Sequence, residues 1–134
     1  MKKHLFILTA ICAMAFNAVA QNNTTHQEIV NLSAQRFKII TENDKNGVIL
    51  DLRTTDEMSK GYIKGATQLD FLAKDAEKQI DNLDKNKTYY IYCASGNRSG
   101  QAAEYMKEHG FKRVYNLEKG LKEWELKGYP VEKK

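Results

Sequence analysis

Thr88-Tyr89-Tyr90-Ile91-Tyr92-Cys93-Ala94-Ser95-Gly96-Asn97-Arg98 is the stretch that decides the fold. The run Thr88 to Tyr92 is short, apolar and aromatic, the signature of a buried strand. Small and turn-forming residues follow. After Arg98 a helix with Ala102, Ala103 and Met106 on one side runs to His109, and Gly110 is placed to terminate it. Strand, tight loop, helix is the unit from which an α/β sheet is built.

The chain on either side repeats that alternation. Val48-Ile49-Leu50-Asp51-Leu52 reads as a strand covered on both faces, entered through the Asn46-Gly47 turn. Before it, Ser33 is placed to cap a helix that carries Phe37, Ile40 and marginally Ile39 on one face and ends near Asn43. Past Leu52 come a helical turn near Thr55 to Lys60, an extended piece at Ala66 to Leu69 and an amphipathic helix from about Phe71 to Leu83. Val114 to Leu117 supplies a fourth strand, and Leu121 with Trp124 marks a core-facing final helix closed by Gly128 and Pro130. The pattern predicts a single α/β domain over 30–134 with a mainly parallel central sheet flanked by helices.

Two earlier segments are set apart. Lys2 and Lys3, the apolar stretch Leu5 to Phe16 and the small residues Ala18-Val19-Ala20 match the three regions of a secretory signal, so residues 1–20 are expected to be cleaved. That stretch is too short to span a bilayer, which takes roughly 20 apolar residues, and no later segment approaches that length. Residues 21–29 form a polar leader in which no chemistry is expected. Of 21 basic and 17 acidic residues, the signal removes two basic ones, lowering the net charge from +4 to +2. The lysines are interleaved with acids, as in Lys74 to Lys78, so no nucleic-acid-binding footprint is present.

Without the signal the chain keeps one of its two cysteines, Cys93, and no internal disulfide is possible. A lone thiol in an exported protein is either an inert small hydrophobe or a reactive group, and its neighbours decide. Cys93 sits at the carboxyl end of its strand, where ligands bind in open α/β sheets. The loop Ala94, Ser95, Gly96, Asn97 and Arg98 can curl so that backbone N–H groups converge on the sulfur, aided by the following helix N-terminus. Thiolates in such surroundings have pKa values lowered to about 3.5–7.5. His4, His26 and His109 are the only histidines, none placed as a base for Cys93, and no thiolate or histidine cluster suits a metal.

Cys93-Ala94-Ser95-Gly96-Asn97-Arg98-Ser99 resembles the active-site loop of rhodanese-like domains. Val48 to Thr54 resembles their first signature, Gly61-Tyr62-Ile63-Lys64-Gly65-Ala66 its continuation, and Val114 to Gly120 with Trp124 and Gly128-Tyr129-Pro130-Val131 their closing segment. Many members carry His and Pro where this chain has Tyr62 and Lys64, and a paired glycine where it has Lys119-Gly120; these positions are read as structural or peripheral. The resemblance implies a rhodanese-like fold and a sulfurtransferase that needs no cofactor. In that chemistry Cys93 takes a sulfane sulfur from a small donor such as thiosulfate, holds it as a persulfide, and passes it to a thiophile such as cyanide or a thiol. Residues 94–98 would bind the anionic sulfur, and Arg98 would draw in the donor, anchor the loop, or both. Ser99, Asp51 and Arg53 are candidate supporting residues, the last two read chiefly as a structural charged pair.

Three other readings stay open on the residues. A persulfide carrier or partner-binding module, with a protein as sulfur acceptor, needs the same cysteine. A cysteine phosphatase or arsenate reductase is disfavoured because those loops place five residues between Cys and Arg, against four here. A buried, unreactive Cys93 would make the domain inert. Export points to a bacterial periplasm, and Asn-x-Ser/Thr sites at Asn22, Asn23, Asn31, Asn86 and Asn97 disfavour a glycosylating host, since a sugar on Asn97 would obstruct the loop.

Overall fold

A computed structural model describes Gln27 and residues 29–133. The expected signal, residues 1–20, and all of the expected leader except Gln27 and Ile29 lie outside the described residues. The elements run β1 (Val30–Leu32), α1 (Ala34–Asn43), β2 (Val48–Asp51), α2 (Thr55–Ser59), β3 (Thr67–Gln68), α3 (Ala76–Asp81), β4 (Thr88–Tyr92), α4 (Asn97–Glu108), β5 (Arg113–Leu117) and α5 (Gly120–Leu126). All five strands are parallel, in the order β1-β5-β4-β2-β3. Among the described residues, no helix is long and apolar enough to cross a membrane.

Period-two alternation along β4 divides the core into two layers. Tyr89 and Ile91 join Ile80 of α3 and Ala102, Ala103 and Met106 of α4 on one face. Tyr90 and Tyr92 join Phe37 of α1 and Leu121 and Trp124 of α5 on the other. Cys93, next in the alternation after Tyr92, falls on the α4 side. The sheet therefore aims this side chain at the start of α4.

Two expectations need correction. Val30–Leu32, assigned no strand from its sequence, is a short edge strand paired with Tyr115–Leu117 of β5. Three residues with Asn31 in the middle give no alternation to read, and Val30 is exposed. The helix expected from Phe71 to Leu83 is confined to Ala76–Asp81. Asp70 stops it from starting earlier: its Oδ1 accepts from Leu72 N–H at 2.9 Å and its carbonyl from Ala73 N–H at 3.1 Å, while Phe71 N–H is drawn to Leu52 O at 3.1 Å. On α1, Phe37 is buried and Ile40 half-buried, but Ile39 is exposed.

The carboxyl ends of β2 and β4 are locked by a buried polar network. Asp51 pairs with Tyr92 in register, and its Oδ2 accepts from Tyr92 Oη–H at 2.7 Å. Arg53 donates to the same carboxylate through Nε and Nη2 (2.9 and 2.7 Å) and to the carbonyls of Glu57 and Gly61 (3.2 and 2.6 Å). Tyr92 Oη in turn accepts from Ile63 N–H at 3.0 Å. Asp51 and Arg53 thus form a buried charged pair, and the network ties α2 and the Gly61–Ile63 turn to the strand that carries Cys93. Tyr92→Phe removes one donor and one acceptor from this buried cluster, and urea unfolding should show a loss of about 1–3 kcal/mol with an unchanged m-value.

Candidate active site

Geometry at the end of β4 follows from where the loop's carbonyls go. Cys93 O accepts from Leu121 N–H at 2.8 Å and Ala94 O from Lys122 N–H at 3.0 Å, both in the first turn of α5. A trans peptide unit is planar, with its C=O and N–H opposed. Fixing the Ala94 carbonyl toward α5 therefore turns Ser95 N–H to the other side, which is the side of the sulfur. Gly96 N–H lies 3.1 Å from Sγ, and Ser99 contributes its N–H and its Oγ, each at 3.4 Å.

Gly96 is at φ +97, and a Cβ there would fall on the carbonyl of Glu118. Gly120 is at φ +64, and a Cβ there would meet the Ala94 carbonyl at 2.5 Å and Ser95 N at 2.6 Å. Only glycine allows these two backbones to lie against the loop. Of the Lys119-Gly120 pair, read from the sequence as structural or peripheral, Gly120 packs directly on the Cys93 loop.

Cys93 is only 1 % exposed. Burial alone pushes the thiol up, but hydrogen bonds from Ser99 Oγ and from the N–H groups of Ser99, Ser95 and Gly96 outweigh it, and the thiol is held below its ordinary value. The sulfur is thus buried among hydrogen-bond donors, a surrounding that differs from that of a plain core hydrophobe.

The remaining loop residues are placed less uniformly than the sequence suggested. Asn97 begins α4 and turns its Oδ1 to Gln101 Nε2 at 3.1 Å, away from the sulfur. Arg98 extends to Glu57 on α2, where Nη1 and Nη2 donate to the two carboxylate oxygens at 2.8 and 2.6 Å. This fork anchors the loop, the second of the roles considered for Arg98. Glu57 closes a capping box with Thr54 as well. With Arg98 first among the causes, its carboxyl is held down at about 2.

Neither Glu57 nor the packing role of Gly120 was singled out from the sequence. The Thr54-Thr55-Asp56-Glu57 pattern is a capping-box signal that locates Glu57 at the helix start. Its reach to Arg98, 41 positions away, has no local signature.

A groove of about 260 Å³ opens beside Ala94, lined by Arg53, Glu57 and Lys60 on one side and by Leu121, Lys122 and Glu125 of α5 on the other. Among the described residues no group of His, Cys, Asp or Glu could hold a metal ion.

Comparison with known proteins is decided by a family model, Rhodanese-like domain, that matches residues 33–127. The chain belongs to the rhodanese-like family. It is 35% identical over 98 residues to the Bacillus subtilis protein YtwF, provisionally named a sulfurtransferase, covering 73% of this chain and 92% of that one. It is 34% identical over 84 residues to a sulfurtransferase of Allochromatium vinosum, covering 63% and 77%. A third relative, YrkF of Bacillus subtilis, provisionally named a sulfur carrier protein, is 36% identical over 96 residues, and the match spans 51% of its length. A crystal structure of a rhodanese-related protein from Thermoplasma volcanium superposes with a TM-score of 0.68 at 28% identity, covering 78% of this chain and 99% of that one. The rhodanese-like fold read from the sequence is thereby confirmed, and sulfur transfer is the chemistry to which family and relatives assign this chain.

Alkylation of Cys93 followed against pH should inflect below the roughly 8.5 of a free cysteine, and Ser99→Ala, which removes the Oγ donor, should raise the inflection. Glu57→Gln should lower stability at neutral pH by about 1–2 kcal/mol after allowance for solvent screening. Because the Glu57 carboxyl is depressed in the fold, its contribution is complete above the unfolded value near 4.5 and lost as pH falls toward about 2. Thermal unfolding of the two proteins should therefore converge across that window.

Proposed function

We propose that this protein transfers sulfane sulfur through a persulfide on Cys93. The observation that carries the reading is the cradle of donors around one buried thiol: Gly96 N–H at 3.1 Å, with Ser99 N–H and Oγ at 3.4 Å, close on an atom that no histidine among the described residues attends. In the first step the Cys93 thiolate attacks the outer sulfur of a donor. The donor's sulfur–sulfur bond breaks, its leaving group departs with the electron pair (sulfite, when the donor is thiosulfate), and Cys93 carries the transferred sulfur. In the second step a thiophile, cyanide or a thiol, attacks that terminal sulfur and the Cys93 thiolate is regenerated. No external oxidant or reductant is required.

Fixed N–H groups suit this cycle because the anion never leaves the loop. The negative charge moves from the Cys93 sulfur to the persulfide sulfur, and dipoles already oriented by the fold stabilise both without reorganising. Arg98 anchors the cradle through Glu57, and Asp51 and Arg53 support it through Tyr92. A phosphatase or arsenate-reducing reading is disfavoured by the four-residue loop and by Arg98, whose fork is already engaged by a carboxylate. A persulfide carrier is the second reading, favoured by the likeness to YrkF; slow turnover with fast exchange to a protein acceptor would distinguish it. The charged and apolar segment before Gln21 supports an exported, periplasmic site of action.

Purified protein incubated with thiosulfate, or separately with an organic polysulfide, should gain one sulfur atom on Cys93 by mass spectrometry and lose it to cyanide as thiocyanate. Cys93→Ser should abolish both events. Folded protein that takes sulfur from neither donor would overturn the proposal.

A further inference from the structure

The sheet has two covered faces, and Cys93 lies on the side of α4. On the other, where α1 and α5 pack, a cavity of about 420 Å³ opens at the last turns of both helices. Its apolar walls are Ile49 of β2, Ile63, Trp124 of α5 and Pro130. Hydrogen bonds hold these walls in place. Ile63 N–H donates to Tyr92 Oη at 3.0 Å and Trp124 Nε1–H to Pro130 O at 2.9 Å. Reciprocal bonds between Tyr62 and Glu132, at 2.9 and 2.8 Å, tie the Pro130 segment to the turn that carries Ile63. The volume falls within the roughly 300–1,000 Å³ of small-molecule sites, whose walls are mainly apolar with a few placed polar groups.

The polar side of the cavity is formed by Thr41, Glu42, Lys45 and Lys64. Thr41 Oγ–H is directed to carbonyls of its own helix, at 2.8 and 3.2 Å, and Trp124 has spent its N–H on Pro130, so neither offers a free donor. The Glu42 carboxylate is taken by Lys38 Nζ at 2.7 Å. Lys45 donates to the Glu42 carbonyl at 2.7 Å, and neither it nor Lys64 forms an ion pair among the described residues. An ammonium carries three donors, so both exposed lysines keep N–H groups for a guest. Apolar walls beside two uncompensated cations complement an amphipathic anion.

We propose that this cavity binds a small amphipathic carboxylate, carried on an aromatic ring or a short aliphatic chain, at a site separate from Cys93. The apolar part of the guest displaces water from Ile49, Ile63, Trp124 and Pro130, and its carboxylate meets Lys45 and Lys64. No bond is made or broken there. A neutral guest of the same shape keeps the apolar contact and loses both charge pairs, and a cationic one is repelled.

Trp124 is the only tryptophan of the chain, so its emission reports occupancy of the cavity. The protein is titrated at neutral pH with 3-phenylpropionate, with its amide and with 3-phenylpropylammonium. The acid should change the emission saturably, the amide should bind about tenfold more weakly, as for the loss of two exposed charge pairs, and the ammonium should not bind. Lys45→Gln and Lys64→Gln should each weaken the acid about threefold and leave the amide unchanged. Both side chains are exposed, so neither variant challenges the fold. Ile49→Phe, which fills the cavity, should remove acid binding, and alkylation of its Cys93 at the wild-type rate verifies that the variant is folded. No saturable response to the acid, equal affinity for acid, amide and ammonium, or acid binding indifferent to all three substitutions would overturn the proposal. None of these outcomes bears on sulfur transfer at Cys93, which is read by a different measurement.

Discussion

Two carbonyl groups set the chemistry of this domain. Those of Cys93 and Ala94 are held by the first turn of α5 at 2.8 and 3.0 Å, and the planarity of the peptide unit does the rest. Once the Ala94 carbonyl points toward α5, the Ser95 N–H is directed to the sulfur, beside those of Gly96 and Ser99. Gly96 and Gly120 are required because the same contact brings backbone against backbone with no room for a Cβ. A loop free to rotate those peptides would present carbonyl oxygens to Cys93 as readily as N–H groups, and the thiol would be raised by burial without compensation.

Around that contact, the polar groups fall into two clusters with different duties. Asp51, Arg53 and Tyr92 are buried and satisfy one another, so they fix the ends of β2 and β4 without facing the groove as free charges. Removing Asp51 or Arg53 alone would leave an uncompensated buried charge, which is the costly way to lose an ion pair. Glu57 and Arg98 are partly exposed, with side chains 32% and 19% accessible, and their pairing contributes less to stability than it does to position. With Arg98 committed to Glu57, the donors that close on the sulfur are those of the loop and the start of α4.

Much of this was legible in the sequence because it is local or periodic. The strand at Thr88 to Tyr92, the small residues after Cys93, and the helix that follows belong to one continuous segment, so the loop and its family resemblance could be read together. Asp51 and Arg53 were recognisable as a charged pair because they flank a buried strand end. Contacts between distant segments were less accessible. Glu57 meets Arg98 across 41 positions, and Gly120 reaches the loop only because β5 lies beside β4 in the sheet. Val30–Leu32 gains its strand character from β5, and the helix expected from Phe71 lost its first turns to an Asp70 side chain that competes for backbone N–H groups.

The docking of α5 on the loop also sets an order of events. Cys93 and its loop precede Gly120, Leu121 and Lys122 in the chain, so during synthesis the thiol emerges before the segment that orients its surroundings. Until α5 packs, Cys93 is an ordinary thiol without a fixed cradle. The cradle is therefore completed late, with tertiary closure, and a partly unfolded chain lacks the donors that hold the thiol below its ordinary value. Conversely, the readiness of Cys93 to react reports directly on whether the far end of the domain has folded.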